Sequence, residues 1–66
     1  MAEVIAEIPK GKAVIRISRD WVHKRQVVDI RIWFVPKGET ELVPSKKGIT
    51  VEVSSVPELL KGLQKV

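Results

Sequence analysis

Sixty-six residues make one small domain, and at that size folding buries only about 60% of the surface the unfolded chain exposes. With no cysteine in the chain, a disulfide framework and a thiolate metal site are both excluded, which leaves oligomerisation as the expected extra support. Twelve Lys and Arg against eight Asp and Glu give a net charge of +4 and a pI of 9.8, a balance that favours an acidic partner.

The amino terminus, MAEVIAEIPKGK, carries glutamates where a secretory leader needs a basic segment and an apolar run, and no stretch approaches a membrane span. The expectation is an intracellular protein: cytoplasmic or nucleoid-associated in a prokaryote or virus, nuclear in a eukaryote. Residues 1–66 read as one domain, without repeat, linker or low-complexity tract. A first strand is predicted over about 4–8, closed by Pro9-Lys10-Gly11, and a second over about 13–21, rich in β-branched residues. Trp21-Val22-His23-Lys24 is the bend that follows.

The third strand, about 25–35, alternates: Val28, Ile30, Ile32 and Phe34 point one way, and Arg25, Val27, Asp29, Arg31 and Trp33 the other. In the second strand the faces conflict, because Ile15 and Ile17 share the parity of Arg19 and Trp21, so a twist or bulge is expected between them. Pro36-Lys37-Gly38 ends the third strand. GETELVPSKK then reads as an irregular polar loop before a fourth strand over about 48–53, whose Ile49, Val51 and Val53 face inward. Ser55 and Glu58 have capping-box spacing, and Pro57 suits a first turn, so a helix is predicted over about 56–65 with Leu59, Leu60, Leu63 and Val66 as its stripe. A helix that short, with Gly62 inside it, holds only by docking. The fold class is therefore α+β: a four-stranded antiparallel sheet with a C-terminal helix on one side and the other side open.

Little in this inventory supports catalysis. The single histidine, His23, lies in a turn, the acidic residues are scattered, and neither a nucleophile elbow nor a phosphate-cradling glycine pattern is present. An enzyme is not expected, nor a metal or cofactor. Between Lys10 and Arg31, however, seven basic residues stand against two acidic ones, and the tryptophans lie within or beside that segment. Cations interleaved with aromatic residues on an open sheet suit unpaired bases, which stack on rings while Lys or Arg meets phosphate. A duplex hides those base faces.

Three short motifs in order, Arg19-Asp20-Trp21, Asp29-Ile30-Arg31-Ile32-Trp33-Phe34 and Lys46-Lys47-Gly48-Ile49, resemble the positive-cofactor-four family of transcriptional coactivators and single-stranded-DNA-binding proteins over nearly the whole chain. The resemblance implies a two-fold homodimer whose paired concave sheets hold two antiparallel single strands. It also implies that Trp21 and Trp33 stack on bases while Arg31, Lys46 and Lys47, with Arg19 and Lys24 nearby, meet phosphates. The turn after Trp21 is about one residue longer than in the family pattern and the segment from Arg31 to Gly38 about one shorter, so Trp33 or Phe34 is the matching aromatic; the alternation favours Trp33. Asp20 and Asp29 are expected to hold neighbouring arginines in position. Expected partners are single-stranded DNA, a second copy of the chain, and proteins of transcription, replication or repair. Other readings stay open: a monomeric duplex-binding chromatin protein with an SH3-like barrel, an RNA binder, or a protein-interaction module anchored by Trp33.

Overall fold

The computed structural model describes residues 2–66, so Met1 of the expected domain lies outside the described residues. Four strands, β1 (Glu3–Lys10), β2 (Ala13–Val22), β3 (Arg25–Phe34) and β4 (Val43–Glu52), form one antiparallel sheet in the order β1-β2-β3-β4. A 3₁₀ turn, Val53–Ser55, leads into helix α1 (Val56–Leu63). The α+β architecture, four antiparallel strands followed by one helix, agrees with expectation. Among the described residues no helix is long and apolar enough to cross a membrane.

Element ends move by one or two residues, β1 running on through Pro9 to Lys10 and α1 stopping at Leu63; two further differences have a clear local reason. The bend between β2 and β3 is only His23-Lys24, and both residues take left-handed φ values of +49° and +65°. A two-residue hairpin loop with positive φ at both centres matches the right-handed twist of the flanking strands, so the ladder runs on to the Val22–Arg25 pair. Neither residue is a glycine. The hairpin accepts that steric cost in exchange for an uninterrupted register from Val14–Trp33 to Val22–Arg25.

The second difference is β4, which starts at Val43 rather than near 48. VPSKK was expected as loop because it is polar and holds a proline; Pro44 is tolerated because β4 is an edge strand, where a missing N–H removes no ladder bond. Ser45, Lys46 and Lys47 together stand against Ile32 alone, since Arg31 pairs with Gly48 and Trp33 with Pro44. Gly48 makes that approach possible. A Cβ there would lie 2.6 Å from the Ile30 carbonyl oxygen and 2.8 Å from the Arg31 Cα.

The capping box does not form. Ser55 already has helical φ and ψ and makes no side-chain cap bond, because the 3₁₀ turn lets the Val56 N–H reach the Val53 carbonyl instead. That turn, rather than the length of α1, is what meets β3.

The two faces follow the pleat. Ile15 and Ile17 of β2, Val28, Ile30 and Ile32 of β3, and Ile49 and Val51 of β4 share one face, towards α1. Here the expectation of an inward, buried face is corrected: Ile49 and Leu60 are exposed, Leu63 is 59% exposed, and an apolar groove of about 320 Å³ runs between α1 and the sheet. The helix overhangs the sheet without covering it. Among the described residues the only buried positions, Ser18 at 5% and Val27 at 8% exposure, lie on the opposite, polar face.

Candidate nucleic-acid interface

On the polar face β2 contributes Arg16, Ser18, Asp20 and Val22; β3 contributes Val27, Asp29, Arg31 and Trp33; β4 contributes Pro44, Gly48 and Thr50. These side chains surround Ser18 and Val27 in a concavity of about 330 Å³, lined also by Asp20, Asp29, Arg31 and Trp33. Arg31 is fixed by two partners through all three of its guanidinium nitrogens. Its Nε and Nη2 donate to the Asp29 carboxylate at 3.1 and 2.9 Å, and its Nη1 donates to the Ser45 carbonyl at 3.0 Å. Thr50 donates to the same carboxylate at 3.0 Å. The bond to Asp29 pushes the Arg31 pKa further up, so the guanidinium stays charged at every working pH.

Trp33 is half-buried on this face. The guanidinium carbon of Arg16 sits 4.0 Å from its ring centroid, and Arg16 Nε donates to Glu7 at 2.7 Å. One side of the indole is thus closed by a cation that is itself anchored to β1. The same residue lines the concavity. Its Nε1 is buried without a hydrogen-bond partner among the described residues. Arg16, Glu7 and Thr50 were not singled out from the sequence, because their contacts join strands far apart in the chain; the polar parity of Arg16, Ser18 and Asp20 was the one available signal.

The seven expected contact residues divide between the faces. Arg31 and Trp33 come together on the concave face, and alternation from Gly48 puts Lys46 there as well. Arg19 and Trp21 do not join them. The β2–β3 register runs without a bulge, so both keep the parity of Ile15 and Ile17 and face the helix side; Trp21 is 59% exposed there, near the hairpin end. The expected twist or bulge in β2 is absent, and the register shifts fall in β1 and β4 instead. Lys24 occupies the hairpin turn. Lys47 lies beside Lys10, Ile32 and Phe34, which puts Phe34 on the helix side as the alternation predicted. Of the two aspartates, Asp29 does hold an arginine, whereas Asp20 accepts the Trp21 N–H at 2.8 Å and has no cationic partner among the described residues.

Electrostatically, the cations differ. Arg16, Arg25 and Arg31 each carry a carboxylate partner, Glu7, Glu52 and Asp29. Arg19, Lys10, Lys24, Lys46 and Lys47 have none among the described residues, so the uncompensated positive charge near the site sits on Arg19 and on these lysines of β1, the hairpin turn and β4. Such an arrangement supports non-covalent binding of a polyanion with rings for its bases.

A family model described as Transcriptional Coactivator p15 (PC4) matches residues 10–62. Two crystal forms of a PC4 homolog from Burkholderia pseudomallei are similar in structure. The tetragonal form has a TM-score of 0.86 at 29% identity, covering 97% of this chain and 94% of that one. The orthorhombic form has a TM-score of 0.85 at 30% identity, covering 96% and 85%. No curated protein matches the chain.

Proposed function

Because this chain belongs to the transcriptional coactivator p15 (PC4) family, whose members are non-enzymatic DNA-binding proteins, we propose that it is a homodimer that binds single-stranded DNA on its concave sheet face with little dependence on sequence. The observation that carries the reading is Trp33, an indole in a concavity on the side of the sheet away from α1, beside a guanidinium held in place by Asp29. A base stacks against the indole from the side Arg16 leaves free, and Arg31 and Lys46 meet the flanking phosphates. Lys24, Arg19, Trp21 and Lys47 contribute at the margins, where the strand passes the hairpin end and the edge of β4.

Dimerisation is supported by what the single chain leaves bare. Ile5, Leu60 and Leu63 are exposed around the groove beneath α1, and the described residues include one buried apolar side chain. So small a core does not hold a domain of this size on its own. A second copy packed about a two-fold axis fills the groove and leaves both concave faces outward.

The test is a titration of a labelled oligonucleotide at two salt concentrations, with a duplex of the same length as competitor. Affinity for the single strand falls with salt at a log–log slope near −0.7 per phosphate neutralised, and the duplex competes poorly. Duplex outcompeting single strand would overturn the reading.

A further inference from the structure

Asp20 is anomalous in a groove that attracts phosphate. A carboxylate there opposes the field that brings the ligand in, and unlike Asp29, Glu7 and Glu52 it neutralises no cation among the described residues. One oxygen accepts the Trp21 N–H; the other has no partner among the described residues. Two positions away on the same strand and face is Ser18, 95% buried by its 5% exposure yet lining the concavity, with no hydrogen bond from its hydroxyl among the described residues. Across the ladder Asp20 pairs with Val27 and Ser18 with Asp29, so an apolar floor and the Arg31–Asp29 pair frame both groups.

Resting on the single-strand reading above, we infer that Ser18 and Asp20 form a base-edge site that selects guanine at one position of an otherwise sequence-tolerant path. The two residues are roughly 6.5 Å apart along the strand and point the same way, a spacing that a base edge spans once hydrogen-bond lengths are added. Together they offer two carboxylate acceptors and one hydroxyl that donates. The Watson–Crick edge of guanine presents the complement, O6 as acceptor beside the N1–H and N2–H donors, and an unpaired strand leaves that edge free. Thymine sets two carbonyls around one N–H, and adenine and cytosine set a ring-nitrogen acceptor beside a single amino group. Each of those places a lone pair against the Asp20 carboxylate. Stacking on Trp33 supplies affinity for any base; the carboxylate supplies the preference.

The probes are a labelled oligothymidylate and the same oligonucleotide carrying interspersed deoxyguanosine, deoxyadenosine, deoxycytidine or deoxyinosine, titrated by fluorescence anisotropy at one salt concentration. The guanine-bearing strand binds about tenfold tighter than oligothymidylate, from the discrimination a bidentate contact provides. Deoxyinosine, lacking the 2-amino group, loses most of that gain. Asp20→Asn abolishes the preference while oligothymidylate affinity is equal or higher, which also reports that the variant is folded; Ser18→Ala weakens the preference in part. Equal binding of the guanine and thymine strands by the unaltered protein, or a preference that survives both deoxyinosine and Asp20→Asn, overturns this inference alone. Failure to bind any oligonucleotide overturns the single-strand reading with it.

Discussion

Arg16 and Arg31 stand directly opposite one another across the β2–β3 ladder. Like charges in that relationship repel, and here each is answered by its own carboxylate, Glu7 on β1 and Asp29 on β3. The concave face is therefore laid out as two ion pairs side by side, with Trp33 against the first of them.

Removing one carboxylate exposes the repulsion. Glu7→Gln leaves Arg16 facing Arg31 without compensation and loosens the cation over Trp33. The denaturation midpoint should fall by the equivalent of about 0.5–1 kcal/mol at low salt, the range for a partly exposed pair. The loss should shrink in about 1 M salt, where the Debye length drops to about 3 Å. Equilibrium unfolding followed by tryptophan fluorescence reads both.

Asp29→Asn offers a sharper test, because it makes the protein more positive. Counting charge alone predicts tighter binding of a polyanion. The geometry predicts weaker binding, since Arg31 loses the acceptor that receives its Nε and Nη2 and Thr50 loses its partner. Affinity for a single-stranded oligonucleotide should drop several-fold despite the gained charge.

The two tryptophans should separate cleanly. Trp33→Ala should cost about 1–3 kcal/mol of binding at both low and high salt, because stacking is not screened. Trp21→Ala, on the other face, should cost much less. Lys46→Ala should leave stacking intact and make the log–log salt slope shallower by about 0.7.

Gly48→Ala tests the closeness of β4 to β3. The added methyl meets backbone at 2.6–2.8 Å, which cannot yield as a flexible side chain would. The edge strand must shift, at a cost of about 1–3 kcal/mol in stability. Because the Ser45 carbonyl moves with it, the bond to Arg31 Nη1 is lost as well. Thermal unfolding and oligonucleotide affinity should fall together.

Leu63→Lys places a charge in the groove beneath α1. Sedimentation should show the proposed dimer weakened or lost, and because so little is buried within one chain, stability should become strongly dependent on protein concentration.

Much of the architecture was legible because it rests on local periodicity. Alternation in 25–35 assigned both faces of β3, including the opposed directions of Trp33 and Phe34, since a strand's side-chain period does not depend on its neighbours. Turn residues marked three of the strand junctions. The start of β4 was not legible: polarity and a proline speak for a loop unless the strand is known to lie at an edge. The capping box was equally misleading, its spacing correct but its first residue already drawn into the preceding turn.

The candidate site divides along the same line. Residue types and their parity, with the order of three short motifs, were sufficient to point at the family and to put Arg31 and Trp33 on one face; their contact with unpaired nucleic acid is the proposal made above. Cross-strand register is a property of the assembled sheet, and only there does an unbroken β2–β3 ladder send Trp21 and Arg19 to the far face, lay Arg16 on Trp33, and set Ser18 and Asp20 against Asp29 and Val27 in a shared hollow. One residue of slippage would exchange the two faces. What a strand presents is written in its own alternation, but which strand's residues meet is decided by hydrogen-bond pairing between segments that the chain order does not place side by side.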